Sequence, residues 1–210
     1  MLKIEHTSVA GFDAAIRGVR NSFNSWHLSD SVPGDGGCEV IIGKKDLSLM
    51  QGLRAAGSDH RKYMRMICVW CDITAPLYWW KQADCYRIGV ATNSTSTMHT
   101  IHKRDLTLDD FSHEHLKGNA VRALDNLITV INDFRAEYIA NSKKEDWYAI
   151  IQLLPSSYNQ KRTVMLNYEV LANMYKSRKG HRLDEWKTLL DWIEGLPYSE
   201  LITDKQEKEG

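Results

Sequence analysis

Residues 75–99 constrain this chain most. Ala75-Pro76-Leu77-Tyr78-Trp79-Trp80-Lys81-Gln82-Ala83-Asp84-Cys85-Tyr86-Arg87-Ile88 reads as a strand end, a Pro-initiated helix and an Arg emerging beyond it. Pro near a first helical turn gives up no hydrogen bond, so it marks a start rather than a break. Asn93-Ser94-Thr95-Ser96-Thr97-Met98-His99 then follows as a run of small hydroxyl and amide side chains, too polar for a core and too short for a linker. A helix delivering Gln82 and Arg87 beside such a loop suits a small anionic ligand.

Composition sets the outer bounds. The chain has 210 residues, enough to bury about two-thirds of its unfolded surface and near the upper end of single-domain size. An apolar content of 43% with 7 Trp and 9 Tyr argues against disorder, except in the charged tail 204–210. The 27 basic and 27 acidic residues balance, so no global field steers nucleic acid or anionic membrane to the surface. No apolar run approaches the ~20 residues of a spanning helix, and the N-terminus shows no secretory apolar region. A cytoplasmic protein without membrane or nucleic-acid partners is expected. Seven tryptophans are many for one small core, which points to a homo-oligomer.

The cysteines stand at 38, 68, 71 and 85. Cys68-Val69-Trp70-Cys71 has the C-x-x-C spacing, but without a second pair, in an apolar extended segment, the thiols read as reduced core residues. His99-x-x-His102 and His113-x-His115 offer two ligands each and no convergent third, so no metal is expected. No Ser-His-Asp or Cys-His arrangement is legible, and Gly34-Asp35-Gly36-Gly37 lacks the strand-to-helix context of a phosphate loop.

The pattern along the chain predicts a mixed α/β domain with few strands over residues 1–203. Leu2-Lys3-Ile4 opens a strand, and a helix runs from Phe12 to Arg20. Asp46 is an expected N-cap for a helix with Leu47, Met50 and Leu53 on its apolar face. Ser58 is an expected cap for a helical stretch through Tyr63 and Ile67, leading into a strand with Val69, Cys71 and Ile73. Thr74 then caps the Pro76 helix. After a loop at 100–118, Val121, Leu124, Leu127, Ile128, Ile131, Phe134 and Tyr138 recur at helical spacing. Trp147 to Leu154 forms a shorter helix stopped by Pro155, and Thr163 to Leu166 a strand. Asn167 caps a helix ending near Arg178, and a last helix carries Leu183, Trp186, Leu189, Leu190 and Ile193.

Two of these segments resemble the flavin-dependent thymidylate synthases, which methylate dUMP with reduced FAD, methylenetetrahydrofolate and NADPH. That family carries Ala-Pro, a helix with Gln, then Arg-His-Arg, two residues, Ser, one residue, Asn-Glu, one residue, Ser, one residue, Arg-Tyr. Ala75-Pro76, Gln82, Arg87, Asn93 and Ser96 fall in that order, with one extra residue between Arg87 and Asn93. Downstream the family has Leu-Pro, a strand, Asn and an Arg closing the next helix. Leu154-Pro155, Asn167, Leu171, Asn173 and Arg178 match in order and spacing, and His60 resembles an upstream His of the family. The resemblance covers about residues 45–195. It implies a single α/β domain with a small central, mostly antiparallel sheet flanked by helices, and a homotetramer with sites built between subunits.

It also implies roles. Ser96 and Arg178 take the catalytic positions; Gln82, Arg87, Ser94, Ser96 and Arg178 face the pyrimidine nucleotide; His60, Asn93, Asn167 and Asn173 face FAD. Other causes act on the same residues. N-capping alone explains Asn167, the helix dipole favours Arg178, and Ser94 to Thr97 suit a solvated turn.

Several of the departures fall at positions that, in the family, contact the nucleotide phosphate or the flavin diphosphate. Cys85 and Tyr86 replace its first Arg and His, Ser94 its Glu, and Met98-His99 its last Arg-Tyr. Ile151-Gln152 stands in place of the basic residue before Leu-Pro, and Glu169 in place of the Arg two after the strand's Asn. Each lost Arg fork at a phosphate forfeits about 1.5–3 kcal/mol, one to two decades of affinity, unless His99, Lys81 or Arg162 compensates. Three readings follow: an active flavoenzyme, a relative that binds a nucleotide without redox chemistry, and a protein-interaction or inhibitor module.

Overall fold

A computed structural model describes residues 2–34 and 40–203; Cys38 and the tail 204–210 lie outside the described residues. In chain order the elements are β1 (Lys3–Ala10), α1 (Phe12–Asn21), β2 (Val32–Pro33), β3 (Val40–Ile41), α2 (Lys44–Ala55), β4 (Cys68–Pro76), α3 (Leu77–Ala83), β5 (Ala91–Ser94), α4 (Thr97–Thr100), α5 (Asn119–Asn141), α6 (Lys144–Leu153), β6 (Asn159–Asn167), α7 (Tyr168–Arg178), α8 (Asp184–Glu194) and α9 (Glu200–Thr203). A small sheet has the strand order β1-β4-β6-β5, and β2 pairs antiparallel with β3, Val32 opposite Ile41. This is the mixed α/β class, with a small antiparallel sheet and flanking helices. Among the described residues no helix is long and apolar enough to cross a membrane.

Two compact units make up this fold. The first comprises the chain up to Lys3, Ile73–Cys85 and Asn93–Thr163. Its core forms because the apolar stripe of α5 meets α6 and the segment before it: Ile101, Leu106, Phe111, Leu124, Ile128, Ile131 and Ile150 are buried together. The predicted loop at 100–118 is held by side chains. Asn132 of α5 accepts from the Leu106 N–H and donates to the Leu106 carbonyl, both at 2.9 Å, and Asp110 and Thr107 close a capping box.

The second unit comprises Ile4–Asp72, Tyr86–Thr92 and the chain from Val164 onward. Phe12, Ala15, Ile16 and Val19 bury one face of α1; Leu171, Met174 and Tyr175 of α7 pack with α8 and α9 through Trp186, Leu189, Ile193, Leu201 and Ile202. Gly11 precedes α1 at φ +102°, and a Cβ there would sit 2.1 Å from the Met66 carbonyl oxygen, so only glycine fits.

Three expected caps are corrected. Thr74 lies inside β4, which runs on through Pro76, and no side chain caps α3. Ser58 starts no α-helix; a short 3-10 turn at Lys62–Arg65 precedes β4. Asp46 sits in the first turn of α2 rather than before it. The α2 amides are capped from a distance by Asp30, whose carboxylate accepts from Lys45 N–H at 2.9 Å and Asp46 N–H at 3.1 Å. Asp46, 1% exposed, turns inward to Arg20 Nε at 2.7 Å and accepts from Ser29, Ser31 and the Asp30 amide. Burial alone would raise its pKa; the hydrogen bonds from Ser31, Ser29, Arg20 and Asp30 outweigh it and hold the carboxyl at about 2.

Candidate functional site

Arg178 closes α7 in the second unit, and its place there is set by aromatic packing. Trp186 is fully buried on the inner face of α8, and the Arg178 guanidinium carbon lies 4.4 Å from the Trp186 ring centroid. Tyr86 flanks the same group at 5.4 Å and accepts a hydrogen bond from Arg178 Nε at 3.0 Å. These contacts hold the guanidinium through its face and one donor, leaving the terminal amino groups for another acceptor. Among the described residues no carboxylate pairs with Arg178, although it is only half-exposed. A partly desolvated cation without an anion is costly in a finished structure, so the arrangement is poised for one.

Tyr86 and Arg87 lead into a segment tied to the start of α7. Asn167 caps that helix, its Oδ1 accepting from Val170 N–H at 3.0 Å, while its Nδ2 donates to the Gly89 carbonyl at 3.5 Å. Gly89 has φ +76°, and a Cβ there would lie 2.6 Å from Asn167 Nδ2. Both ends of the Asn167 amide are thus engaged in structure. Arg87 is exposed on this segment.

His60 and Asn173 belong to the same unit. His60 is exposed in the turn after α2 and borders a cleft of about 360 Å³, with Phe23, Leu53, Tyr63 and Met66 among its walls. Asn173 lies on α7, where its Oδ1 accepts from Arg61 Nη2 at 3.2 Å. Arg61 in turn is locked to Glu169: Nη2 donates to Oε1 at 3.0 Å and Nε lies 2.9 Å from Oε2. The position where the resembling family carries an Arg therefore holds a carboxylate that neutralises the neighbouring cation.

Gln82, Asn93, Ser94 and Ser96 belong to the first unit. Gln82 is half-buried near the end of α3, Asn93 and Ser94 are exposed on β5, and Ser96 caps α4 by accepting from His99 N–H at 3.3 Å. The short α4 was not legible in the polar run. What steadies this stretch is β6: Thr95 N–H donates to the Lys161 carbonyl at 2.9 Å, and Gln160 Nε2 donates to the Thr95 carbonyl at 3.1 Å. Arg162, a sequence candidate for replacing a lost phosphate contact, stacks 4.1 Å from the Trp80 ring and donates to Asp84 at 2.7 Å. That role is already filled by an internal carboxylate. Trp79 and Trp80 are buried.

Cys71 is buried, and burial pushes its thiol up to about 12, with Asp72 adding to it. Among the described residues no three His, Cys, Asp or Glu side chains come together around a metal-sized space. Of the residues assigned to FAD, Asn167 is engaged at both ends of its amide and Asn173 accepts from Arg61, which is itself paired with Glu169, while His60 and Asn93 are exposed.

No protein-family model matches the chain, and no curated protein matches it. Solved structures do. Flavin-dependent thymidylate synthase ThyX from Helicobacter pylori, in complexes with FAD and dUMP, is 17% identical in two crystal structures. One superposes with TM-score 0.72 over 97% of this chain and 98% of that chain, the other with 0.69 over 96% and 98%. The UMP/dUMP methylase PolB from Streptomyces cacaoi, bound with 5-Br dUMP, is 13% identical, with TM-score 0.56 over 83% of this chain and 76% of that chain. From end to end, then, this chain has the fold of the flavin-dependent thymidylate synthases.

Proposed function

We propose that the protein binds a pyrimidine nucleotide, with Arg178 and Arg87 as the cations of the site. One observation carries this reading: Arg178 is held in place by Trp186 and Tyr86 and has no carboxylate partner among the described residues. Gln82, Ser94 and Ser96 are proposed as further substrate contacts, through the neutral hydrogen-bonding groups that a pyrimidine edge accepts and donates. The proposed setting is a cytoplasmic homotetramer in which residues 1–203 act as one domain. Thermal unfolding with millimolar dUMP, dCMP or dTMP tests the reading. Ligand at ~100 times its dissociation constant adds about 2.7 kcal/mol, or a few degrees. No shift with any of the three would favour the protein-interaction module instead.

A second reading, an active methyl-transferring flavoenzyme, is favoured by the match in fold to FAD- and dUMP-bound enzymes over nearly the whole chain. In it His60, Asn93, Asn167 and Asn173 would hold FAD, which supplies hydride chemistry, with methylenetetrahydrofolate and NADPH as co-substrates and Ser96 and Arg178 at the base. The engaged Asn167 and the Arg61–Glu169 pair weigh against tight flavin binding. The visible spectrum separates the readings, since bound flavin absorbs in the blue and a nucleotide alone does not.

A further inference from the structure

The turn that follows α7 carries more positive charge than a nucleoside monophosphate needs. Lys176, Arg178, Lys179 and Arg182 fall within Lys176-Ser177-Arg178-Lys179-Gly180-His181-Arg182, with no acidic residue among them, in a chain whose charges balance overall. Among the described residues none of the four has a carboxylate partner. A helix C-terminus offers only about half a negative charge, so the α7 dipole cannot account for four cations. The next residues, Asp184 and Glu185, open α8, and counting both still leaves two positive charges.

The turn is also organised. Arg178 accepts His181 N–H on its carbonyl at 3.0 Å, with Lys179 at φ −58°, ψ 122° and Gly180 at φ +76°, which is a type II β-turn. It sets Arg178 and His181 against one support: the Arg178 guanidinium is 4.4 Å from the Trp186 centroid and the His181 ring 6.1 Å. His181 Nδ1 accepts from Leu183 N–H at 3.1 Å, so in the neutral ring Nε2 carries the proton and is the donor that remains. Lys179 and Arg182 are exposed on either side of His181. Arg178 and His181, fixed in this way, lose little entropy on meeting an anion.

We infer that this turn binds the outer phosphates of a nucleoside di- or triphosphate, Arg178 taking the phosphate nearest the nucleoside and Lys179, His181 and Arg182 those beyond it. The inference rests on the nucleotide reading above and names its ligand class. Titration calorimetry at 150 mM salt compares dUMP, dUTP and inorganic tripolyphosphate on the full chain and on the double variant Lys179→Ala/Arg182→Ala, whose fold is checked by circular dichroism. Expected is at least tenfold tighter binding of dUTP than dUMP by the wild type. In the variant the two should agree within about twofold, with dUMP itself unchanged. Equal affinities in the wild type, or a dUTP preference that survives in the variant, overturns the inference while leaving the nucleotide reading intact. If neither nucleotide binds, that reading fails; tripolyphosphate binding lost in the variant then still identifies the turn as an oligophosphate site, and its absence removes the site as well.

Discussion

The Arg178 guanidinium lies 4.4 Å from the ring centroid of Trp186, a residue without solvent exposure, and Tyr86 fixes its Nε at 3.0 Å. Stacking of this kind contributes about 0.5–2 kcal/mol, and the half-exposed hydrogen bond from the charged guanidinium to the phenol oxygen about 1 kcal/mol. Arg178→Ala should therefore lower the stability of the free protein by about 1–2 kcal/mol and abolish nucleotide-induced stabilisation. Tyr86→Phe, which keeps the ring, should cost about 1 kcal/mol and retain most of the ligand effect. Thermal scans with and without millimolar dUMP read both. An Arg178→Ala protein that still gains several degrees from nucleotide would remove the residue from the site.

The Gly89–Asn167 clamp makes a separate prediction. Gly89→Ala adds a methyl 2.6 Å from Asn167 Nδ2 at a residue with φ +76°. The left-handed strain and the displaced amide together should cost about 1–3 kcal/mol. Because the clamp fixes the segment carrying Tyr86 and Arg87, nucleotide affinity should fall beyond the loss in stability. Titration below the melting transition separates the two effects; affinity equal to wild type would show that the clamp serves folding alone.

Local signals were legible and distant ones were not. The apolar period of α5 and the Asn167 cap depend on neighbours within a few residues, and both stand as read. Asp46 is an expected cap because Asp precedes an apolar stripe; the actual cap, Asp30, lies sixteen residues upstream across a turn. Resemblance and spacing point to Arg178, but its support comes from Tyr86, ninety-two residues away. No periodicity reports such a contact. The Arg61–Glu169 pair was half visible, since a carboxylate where an Arg is expected asks which cation answers it. The basic turn after α7 is plain in the sequence as a charge run, but its type II geometry and its seat on Trp186 depend on packing that no run of charges reports.

The buried Arg20–Asp46 pair sets an acid limit. The folded carboxyl titrates at about 2, below the ordinary 3.8, so Asp46 stabilises the fold above about pH 4 and that contribution is lost as pH falls toward 2. The shift corresponds to about 2 kcal/mol. Asp46→Asn leaves Arg20 buried without its anion and should cost about 3–5 kcal/mol at neutral pH. Urea unfolding at pH 7, pH 4 and pH 2 measures both. An Asp46→Asn protein whose stability still declined as steeply between pH 4 and pH 2 would place the acid sensitivity elsewhere.

Thiol reactivity should follow burial. Cys71 is buried with its thiol pushed up to about 12, while Cys85 is exposed at the end of α3. At pH 8 a maleimide should label Cys85 within minutes and leave Cys71 unmodified until the protein unfolds. Peptide mapping after brief labelling gives the order directly. Early modification of Cys71 in the folded protein would contradict its place in the core of β4.

The proposed tetramer has a surface to explain. Trp79, Trp80 and Trp186 are inside, but Phe23, Trp26, Leu28, Val32 and Ile41 are each about half exposed, and all lie within residues 23–41 of the second unit. Side chains of this size in water forgo about 25 cal/mol for every Å² of apolar area left uncovered. Assembly of four 24.1 kDa chains would relieve part of that cost. Light scattering at micromolar concentration should then return a mass four times that of the chain, and Phe23→Ser/Trp26→Ser should shift it to smaller species if this surface is the contact. A single monomer mass for the wild type would remove the assembly. A tetramer indifferent to the double substitution would keep the assembly and move its interface away from residues 23–41.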